Sequence, residues 1–145
     1  MIEIVTRQLL KAEIKPAVQI WLDTSKKAHH FIDPAYWESK AEEMENLWFP
    51  SADNTALIKG KRLIGFSSLV DNRLAAIFVN PDEQGNGYGS LLLSEAKNRR
   101  NRLELSVYEK NIHAVTFYEK HGFLKTEKQM DPATGEFEFV MVWTK

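Results

Sequence analysis

The order of hydrophobic and polar positions in the N-terminal third predicts a short strand followed by two helices. Apolar and polar residues alternate over residues 1–5, as in a half-buried strand. Helical spacing then follows, at Leu10, Ile14, Ala17, Val18 and Trp21. The polar segment TSKKAHHFID, residues 24–33, is predicted as a loop. Asp33 before Pro34 is a favourable helix start, so the second helix is expected from Pro34 to Leu47.

Three apolar, β-branched runs in the middle of the chain predict an antiparallel meander. The runs TALIKG, KRLIGFSSLV and RLAAIFVN are separated by Gly60-Lys61 and Asp71-Asn72, which are typical of hairpin turns. The third strand is expected over residues 73–79. It ends there because the proline that follows restricts the residue before it and cannot donate to a sheet ladder.

The remaining pattern alternates helices and strands. A helix is predicted around LLLSEA, a strand over LELSVY, and a second helix over NIHAVTFYEKHGF that stops at Gly122. Two strands, residues 124–129 and 137–143, are predicted on either side of the turn DPATGE. No repeat or linker interrupts the 145 residues, so we expect one α/β domain over residues 1–145 with a mixed sheet.

Composition and charge narrow the range of partners. The 19 basic and 20 acidic residues give a net charge of -1, which produces no field that would gather nucleic acid or an anionic membrane. No segment reaches the roughly 18 consecutive apolar residues of a spanning helix, and the first residues lack the layout of a signal peptide. We therefore expect a cytoplasmic protein, monomeric or homodimeric, that binds neither nucleic acid nor membrane.

The absence of cysteine limits the available chemistry. Disulfides, thiolate metal sites and a covalent enzyme thioester are excluded. The four histidines, at 29, 30, 113 and 121, show no metal-ligand spacing, and no HExxH run is present. No metal site is expected, and any acyl transfer would be direct.

The most informative segment is IFVNPDEQGNGYGSLLL, in which a strand ends in proline and a glycine-rich turn opens a helix. Glycines at 85, 87 and 89 allow a tight turn, and the first amides of a helix lack intrahelical acceptors. Together with the positive end of the helix dipole, these amides favour a phosphate group. A plain connecting loop is the alternative. The Walker and dinucleotide patterns are excluded, because neither spacing is present and position 90 is serine.

Two sets of residues at fixed spacing resemble a known family. The first set follows a strand and a Val-x-Pro step and consists of Gln84, Gly87 and Gly89. The second set consists of Asn111, Ala114, Phe117-Tyr118-Glu119-Lys120 and Gly122-Phe123. The chain is thereby similar to the GCN5-related N-acetyltransferases over about residues 56–145. The segment AHHFI makes it look most like the small bacterial lysine or protein N-acetyltransferases among them.

The resemblance implies a fold and a cosubstrate. The fold has about seven mostly antiparallel strands and four helices, and its fourth and fifth strands, here ending at Val79 and beginning at Leu103, splay apart. The cosubstrate is acetyl-CoA, with its pantetheine arm in the splay. Main-chain groups of Ile77 and Val79 would pair with the arm, and Asn111 would bond it near the sulfur. The pyrophosphate would be held by the amides of Gln84, Gly85, Asn86, Gly87, Tyr88, Gly89 and Ser90.

The resemblance also suggests the acid, and leaves the base open. Tyr118 is the candidate acid for the departing thiolate, because a phenol with a reference pKa of about 10 stays protonated at neutral pH. A purely packing role for Tyr118 is the alternative. Several relatives carry a glutamate twelve positions before the tyrosine, where this chain has Ser106. Glu104 lies on the same strand face and is the candidate base, unless it is simply a solvated carboxylate at the strand end.

The acceptor side is less defined. His30 is a candidate substrate contact or base, because an imidazole titrates near pH 6.5 and the loop before the second helix borders the acceptor site in this fold; packing against Phe31 is the alternative. The function implied is direct acetyl transfer, in a ternary complex, to a primary amine of a protein or small molecule. A CoA-binding module that has lost catalysis is the competing hypothesis, and Ser106 is the feature that favours it.

Overall fold

The computed structural model describes residues 2–145 and contains a seven-stranded mixed sheet in the order β1-β2-β3-β4-β5-β7-β6. All neighbouring strands pair antiparallel except β4 and β5, which are parallel. The strands are β1 (Ile4–Gln8), β2 (Asp53–Lys59), β3 (Arg62–Val70), β4 (Arg73–Val79), β5 (Arg102–Tyr108), β6 (Leu124–Met130) and β7 (Phe137–Thr144). The predicted mixed sheet is thereby confirmed. The first strand lies about three residues later than predicted, and Met1 is outside the described residues.

Four helices flank the sheet, as the family resemblance implied. They are α1 (Ile14–Ala28), α2 (Pro34–Glu43), α3 (Tyr88–Asn98) and α4 (Ile112–Lys120). A π-helical turn, Met44–Trp48, and a short α-helical turn, Phe49–Ser51, extend α2 towards β2. Among residues 2–145, no helix combines the length and the apolar character that crossing a bilayer requires.

The helix starts follow from local chemistry, but the end of α1 was predicted wrongly. The Asp33 carboxylate accepts a hydrogen bond from the Ala35 N–H at 2.9 Å, with Pro34 in the first helical position, as expected. The predicted loop of residues 24–33 is instead helical through Ala28. Thr24 and Ser25 are small polar residues buried on the inner face of α1, so the apolar periodicity that marks a helix is not visible there.

The core lies on both faces of the sheet. Helices α3 and α4 cover one face, where the buried residues include Leu93, Leu103, Leu105, Phe123 and Met141. Helices α1 and α2 cover the other face, where they include Ala17, Trp21, Trp37, Phe49 and Phe66. Side chains along β5 alternate between these two layers, as strand geometry requires. The two layers fix where each β5 side chain points.

Strands β4 and β5 diverge after a single registered pair, Arg73 with Glu104. Beyond that pair, β4 stays paired with β3 as far as Val79. Gly65 of β3 permits this close pairing, because a Cβ at position 65 would lie 2.8 Å from the Phe78 carbonyl oxygen. Strand β5 instead keeps a full antiparallel ladder with β7. The predicted splay between the fourth and fifth strands is therefore present.

Candidate active site

A cavity of about 870 Å³ occupies the splay. Its walls are β4 (residues 73–79), the outer half of β5 (105–108), the start of α3, one side of α4 and the last turns of α1. This volume is in the upper part of the range for pockets that bind small molecules and cofactors. The cavity brings together most of the residues that the sequence analysis assigned to a site.

The start of α3 is built to hold an anion. Gly87 has φ of 80°, and a Cβ there would meet no heavy atom within 4 Å. The main-chain N–H groups of Gly87, Tyr88, Gly89 and Ser90 have no hydrogen-bond acceptor among residues 2–145. These unpaired donors lie at the positive end of the helix dipole and line the cavity. The residues fit a pyrophosphate group.

Two residues of the predicted phosphate loop have other local roles. Gln84 lines the cavity, but its N–H donates to the Pro81 carbonyl at 3.4 Å and its side-chain amide donates to the Val79 carbonyl at 3.0 Å. Asn86 does not line the cavity, and its side-chain amide donates to the Glu83 carbonyl at 3.0 Å. Gln84 and Asn86 shape the turn, which leaves the later amides free. Gly85, with φ of 86°, lines the cavity beside them.

The diverging edge of β4 supplies the next part of the site. Ile77 and Val79 both line the cavity on this edge, which β5 leaves without a ladder partner beyond Arg73. Unpaired ladder groups favour an added strand-like ligand, because buried main-chain donors and acceptors require partners. An extended amide-containing arm meets this requirement.

Tyr118 lines the cavity from α4. Its ring packs edge-on against Phe123 at 5.5 Å and against Phe117 at 5.3 Å between centroids. Burial raises the pKa of the phenol above its ordinary value. No hydrogen bond to the Tyr118 hydroxyl is found within residues 2–145. The side chain is therefore a protonated donor with no competing protein acceptor.

The structure does not bring Glu104 to the cavity. Glu104 lies at the end of the gap where β4 and β5 are still paired. Its N–H donates to the Asn72 carbonyl at 2.9 Å, and its carboxylate is 3.8 Å from the Arg102 guanidinium. Ser106, on the same strand face, does line the cavity, and its hydroxyl accepts a hydrogen bond from Arg73 at 3.1 Å. Strand alternation correctly predicted that Glu104 and Ser106 share one face of β5. It could not predict how far along the gap between β4 and β5 each residue lies.

His30 lines the cavity but is exposed, and its ring packs against Phe31 at 5.7 Å. The adjacent His29 is the more deeply placed histidine and was missed by the sequence analysis. Its ring is 9% exposed and lies 5.1 Å from both Trp37 and Tyr108. Burial lowers the His29 pKa to about 4, so the ring is neutral at pH 7. The signal that identifies it is helical spacing: His29 follows the buried Ser25 by four residues.

The hydrogen bonds of Asn111 define the tautomer of His29. Asn111 is the N-cap of α4, and its side-chain oxygen accepts from the Ala114 N–H at 3.3 Å. Its Nδ2 group therefore points to His29 Nε2, 3.2 Å away, and donates to it. In the neutral ring the remaining proton is then on Nδ1. Asn111 lines the cavity, so the hydrogen bond between Asn111 and His29 connects the start of α4 to the end of α1.

Four buried polar atoms next to the cavity have no hydrogen-bond partner among the described residues. They are Thr24 Oγ1, Ser25 Oγ, His29 Nδ1 and Trp37 Nε1. All four residues line the cavity on the side of α1 and α2. An unsatisfied buried polar group costs about 1–3 kcal/mol, so such groups are rare away from ligand and water sites. These atoms can be satisfied by a polar ligand or by ordered water in the cavity.

An anion-binding helix start, an open strand edge and a protonated phenol in one splay define a coenzyme A-dependent N-acyltransferase. Residues 7–135 match the acetyltransferase (GNAT) domain, and the chain belongs to this family. It uses acetyl-CoA as cosubstrate and is an enzyme that transfers the acetyl group to an amine. Within residues 2–145, no group of three or more potential ligand side chains is arranged to hold a metal ion.

Related proteins agree with this assignment. The chain is 29% identical over 138 residues to the peptidyl-lysine N-acetyltransferase YiaC of Escherichia coli K12, and the match covers 94% of each protein. The solution structure of apo YjaB from Escherichia coli superposes with a TM-score of 0.86 at 25% identity, over 97% of both chains. The PaiA N-acetyltransferase of Thermoplasma acidophilum, solved with coenzyme A, has the same fold, with a TM-score of 0.81, 20% identity and 99% coverage of both chains.

Proposed function

We propose that this chain acetylates the side-chain amine of lysine in a protein or peptide. The support for the acceptor is the similarity to YiaC over nearly the whole chain, since YiaC is named a peptidyl-lysine N-acetyltransferase. The support for catalysis is the protonated, unbonded hydroxyl of Tyr118 in the same cavity that the free amides of α3 line. The competing hypothesis, a CoA-binding module without catalysis, gains no support from the relatives.

Each cofactor-facing residue has a defined task in this proposal. When bound, acetyl-CoA supplies the activated acyl group as a thioester. The N–H groups of residues 87–90 donate to the two phosphates, and the main chain at Ile77 and Val79 pairs with the pantetheine amides. Asn111 keeps one N–H of its side-chain amide on His29 and directs the other towards the pantetheine arm. These bonds place the reacting carbon near Tyr118.

Tyr118 acts as the general acid. As the amine nitrogen bonds to the acyl carbon and the carbon–sulfur bond breaks, the phenol donates its proton to the departing sulfur. The nitrogen loses one proton as the amide forms, and a proton from solvent restores the phenol. The raised pKa keeps the phenol protonated across the neutral range. The acyl transfer is direct, because the sequence contains no cysteine that would carry the acyl group.

The amine loses its proton before attack, and we propose that solvent accepts it. Glu104 does not line the cavity, and His29, with a pKa of about 4, is too weak a base for a lysine ammonium near 10.4. His30 is exposed at the cavity wall and is retained as a contact with the acceptor. A single domain over residues 1–145, a cytoplasmic location and a monomeric or homodimeric state stay predictions from the sequence.

The direct test is Tyr118→Phe in a thiol-release assay with acetyl-CoA and lysine peptides. We expect kcat to fall at least about a hundredfold, because general acid catalysis contributes roughly that much. Coenzyme A affinity should change little, since only the hydroxyl is removed. Glu104→Gln, assayed across pH, separates the two accounts of the base: an unchanged profile supports solvent, and loss of the limb on the acidic side of the profile supports Glu104. A Tyr118→Phe enzyme with the parental rate would contradict the proposed acid.

A further inference from the structure

One histidine joins the end of α4 to the start of α3. The Nε2 atom of His121, the C-cap residue of α4, is 3.1 Å from the Ser90 hydroxyl oxygen, which is a hydrogen-bond distance. Ser90 lines the cavity, and its main-chain N–H is one of the free donors at the start of α3. The His121 ring is therefore bonded to the side chain of a residue whose N–H faces the proposed phosphate position.

Contacts on two sides hold the His121 ring in place. Its centroid is 4.7 Å from that of Phe117, and a Cβ at Gly89 would lie 3.5 Å from the same Phe117 ring. The Lys97 ammonium of α3 donates to the His121 carbonyl oxygen and lies 5.0 Å from the centroid of the Trp143 ring. His121 is thus packed between α3 and α4 and is not a freely rotating surface side chain.

The protonation state of His121 decides which bonds the Ser90 hydroxyl can make. A hydroxyl has one O–H donor, and a neutral imidazole has one donor and one acceptor nitrogen, so a neutral ring can accept the Ser90 proton on Nε2. An imidazolium has no acceptor nitrogen. Its Nε2–H must donate to the Ser90 oxygen, which leaves the Ser90 O–H free to donate to a phosphate oxygen. The ring then also carries a positive charge beside the anion-binding helix start.

The charges that act on His121 in the free protein are positive. Burial is the main cause that lowers the His121 pKa, and the charges of Lys97 and Lys120 lower it further. Strand β7 presents the uncharged Trp143 ring beside Gly122. Within residues 2–145, no carboxylate oxygen lies within 4.0 Å of a His121 nitrogen. The free ring is therefore predominantly neutral at pH 7, and a bound anion would favour its protonation.

We propose that His121 is a positioning residue for the cofactor, which in its protonated form turns the Ser90 hydroxyl towards the pyrophosphate and places a positive charge beside it. This inference rests on the placement of the pyrophosphate at residues 87–90 in the proposed function. Binding should transfer a proton from solvent to His121, because the bound phosphates offset the two lysine charges. Coenzyme A should therefore bind more tightly as the pH falls below about 6.5.

The test is calorimetric titration of the apo protein with dephospho-coenzyme A at pH 7.5 and pH 5.5. This ligand keeps the pyrophosphate but lacks the 3′-phosphate, whose own ionisation at about pH 6 would add a second pH dependence. We expect about fivefold higher affinity at pH 5.5, which corresponds to one partly exposed ion pair. Histidine signals in a nuclear magnetic resonance titration should show the His121 pKa rising on binding by the same factor, because the coupling is reciprocal.

Three variants separate the titration of His121 from a purely structural role. His121→Gln can still hydrogen-bond to Ser90 but cannot titrate, so the affinities at the two pH values should agree within about twofold. Ser90→Ala should weaken binding more at pH 5.5 than at pH 7.5, because its hydroxyl is free for the phosphate when the ring is protonated. His113→Gln, the matched control, changes an exposed histidine near the start of the same helix and should keep the parental ratio.

The outcomes distinguish this inference from the proposed function. Equal affinity at the two pH values in the parent, or the parental ratio in His121→Gln, would overturn the role of His121. Loss of the ratio in His113→Gln would overturn it as well, because that histidine does not contact Ser90. No heat with coenzyme A or dephospho-coenzyme A at millimolar concentration would instead overturn the cofactor grip in the proposed function, and this inference with it.

Discussion

The buried imidazole of His29 behaves differently from that of an ordinary histidine. Its imidazole lies between Trp37 and Tyr108, accepts from Asn111 and has a pKa lowered to about 4 by burial. Such a ring is a positioning element and a poor base at neutral pH. It supports the orientation of Asn111, and through Asn111 the start of the helix that carries Tyr118.

Acid sensitivity follows from the lowered pKa of His29. Above pH 6.5 the ring is neutral in both the folded and the unfolded chain, so its contribution to stability is complete there. As the pH falls from about 6.5 to about 4, the unfolded chain binds the proton first, and folding should lose up to about 3 kcal/mol from this group. Denaturant unfolding at pH 7 and pH 4.5 measures this loss.

The adjacent histidine provides the matched control for that measurement. His29→Gln should show a smaller loss of stability between pH 7 and pH 4.5 than the parent, because the depressed titration is removed. His30→Gln changes an exposed ring and should keep the parental loss. An equal decline in the two variants would show that His29 is not the acid-sensitive group.

The residue motifs were predictable where main-chain geometry requires a particular side chain. Gly87 has positive φ, and the glycine-rich pattern pointed to it. Asn111 and Tyr118 were assigned through the family resemblance, and the helix cap at Asn111 is seen only in the structure. His29 and Glu138 were not predictable in this way. They reach the cavity through the late end of α1 and through strand pairing, which are tertiary facts.

The start of α3 is the element on which cofactor binding depends. Gly87 and Gly135 have similar positive φ, 80° and 75°, and at neither would a Cβ meet a heavy atom within 4 Å. Gly87→Ala and Gly135→Ala should therefore cost similar stability, about 1 kcal/mol each. Only Gly87→Ala should weaken coenzyme A binding, by at least about tenfold, because its Cβ enters the space beside the free amides.

Calorimetric titration of the two alanine variants with coenzyme A measures this difference, and thermal unfolding checks that both stay folded. Gly135, in the β6–β7 turn, is far along the chain from the phosphate loop and provides the matched backbone strain without the cofactor contact. Equal affinity in both variants would mean that the phosphates do not sit at Gly87.

Element type was predicted well, and element ends less well. Both hairpins of the meander and the capped start of α2 follow from turn and cap residues whose geometry is local. The last turn of α1 carries buried polar residues, and neither it nor the π-helical turn after α2 has a local signature in residues 24–28 or 44–48.

At the scale of the whole molecule, the sheet behaves as two parts that share one short parallel contact. Strands β1 to β4 form one antiparallel part, and β5 to β7 form the other. The helix layers hold both parts, so the gap between them persists as a cavity. The site of that gap could be predicted only through the family resemblance, because no sequence pattern shows where neighbouring strands stop pairing.

The most direct test of the account is the shift of backbone amide signals in a nuclear magnetic resonance titration with coenzyme A. We predict that the largest changes occur at residues 87–90, whose N–H groups gain phosphate acceptors, together with Ile77 and Val79 on the open edge of β4. Saturable changes confined to other regions, such as the basic end of α3 at Arg99 and Arg100, or no change at millimolar coenzyme A, would contradict the proposed grip on the cofactor.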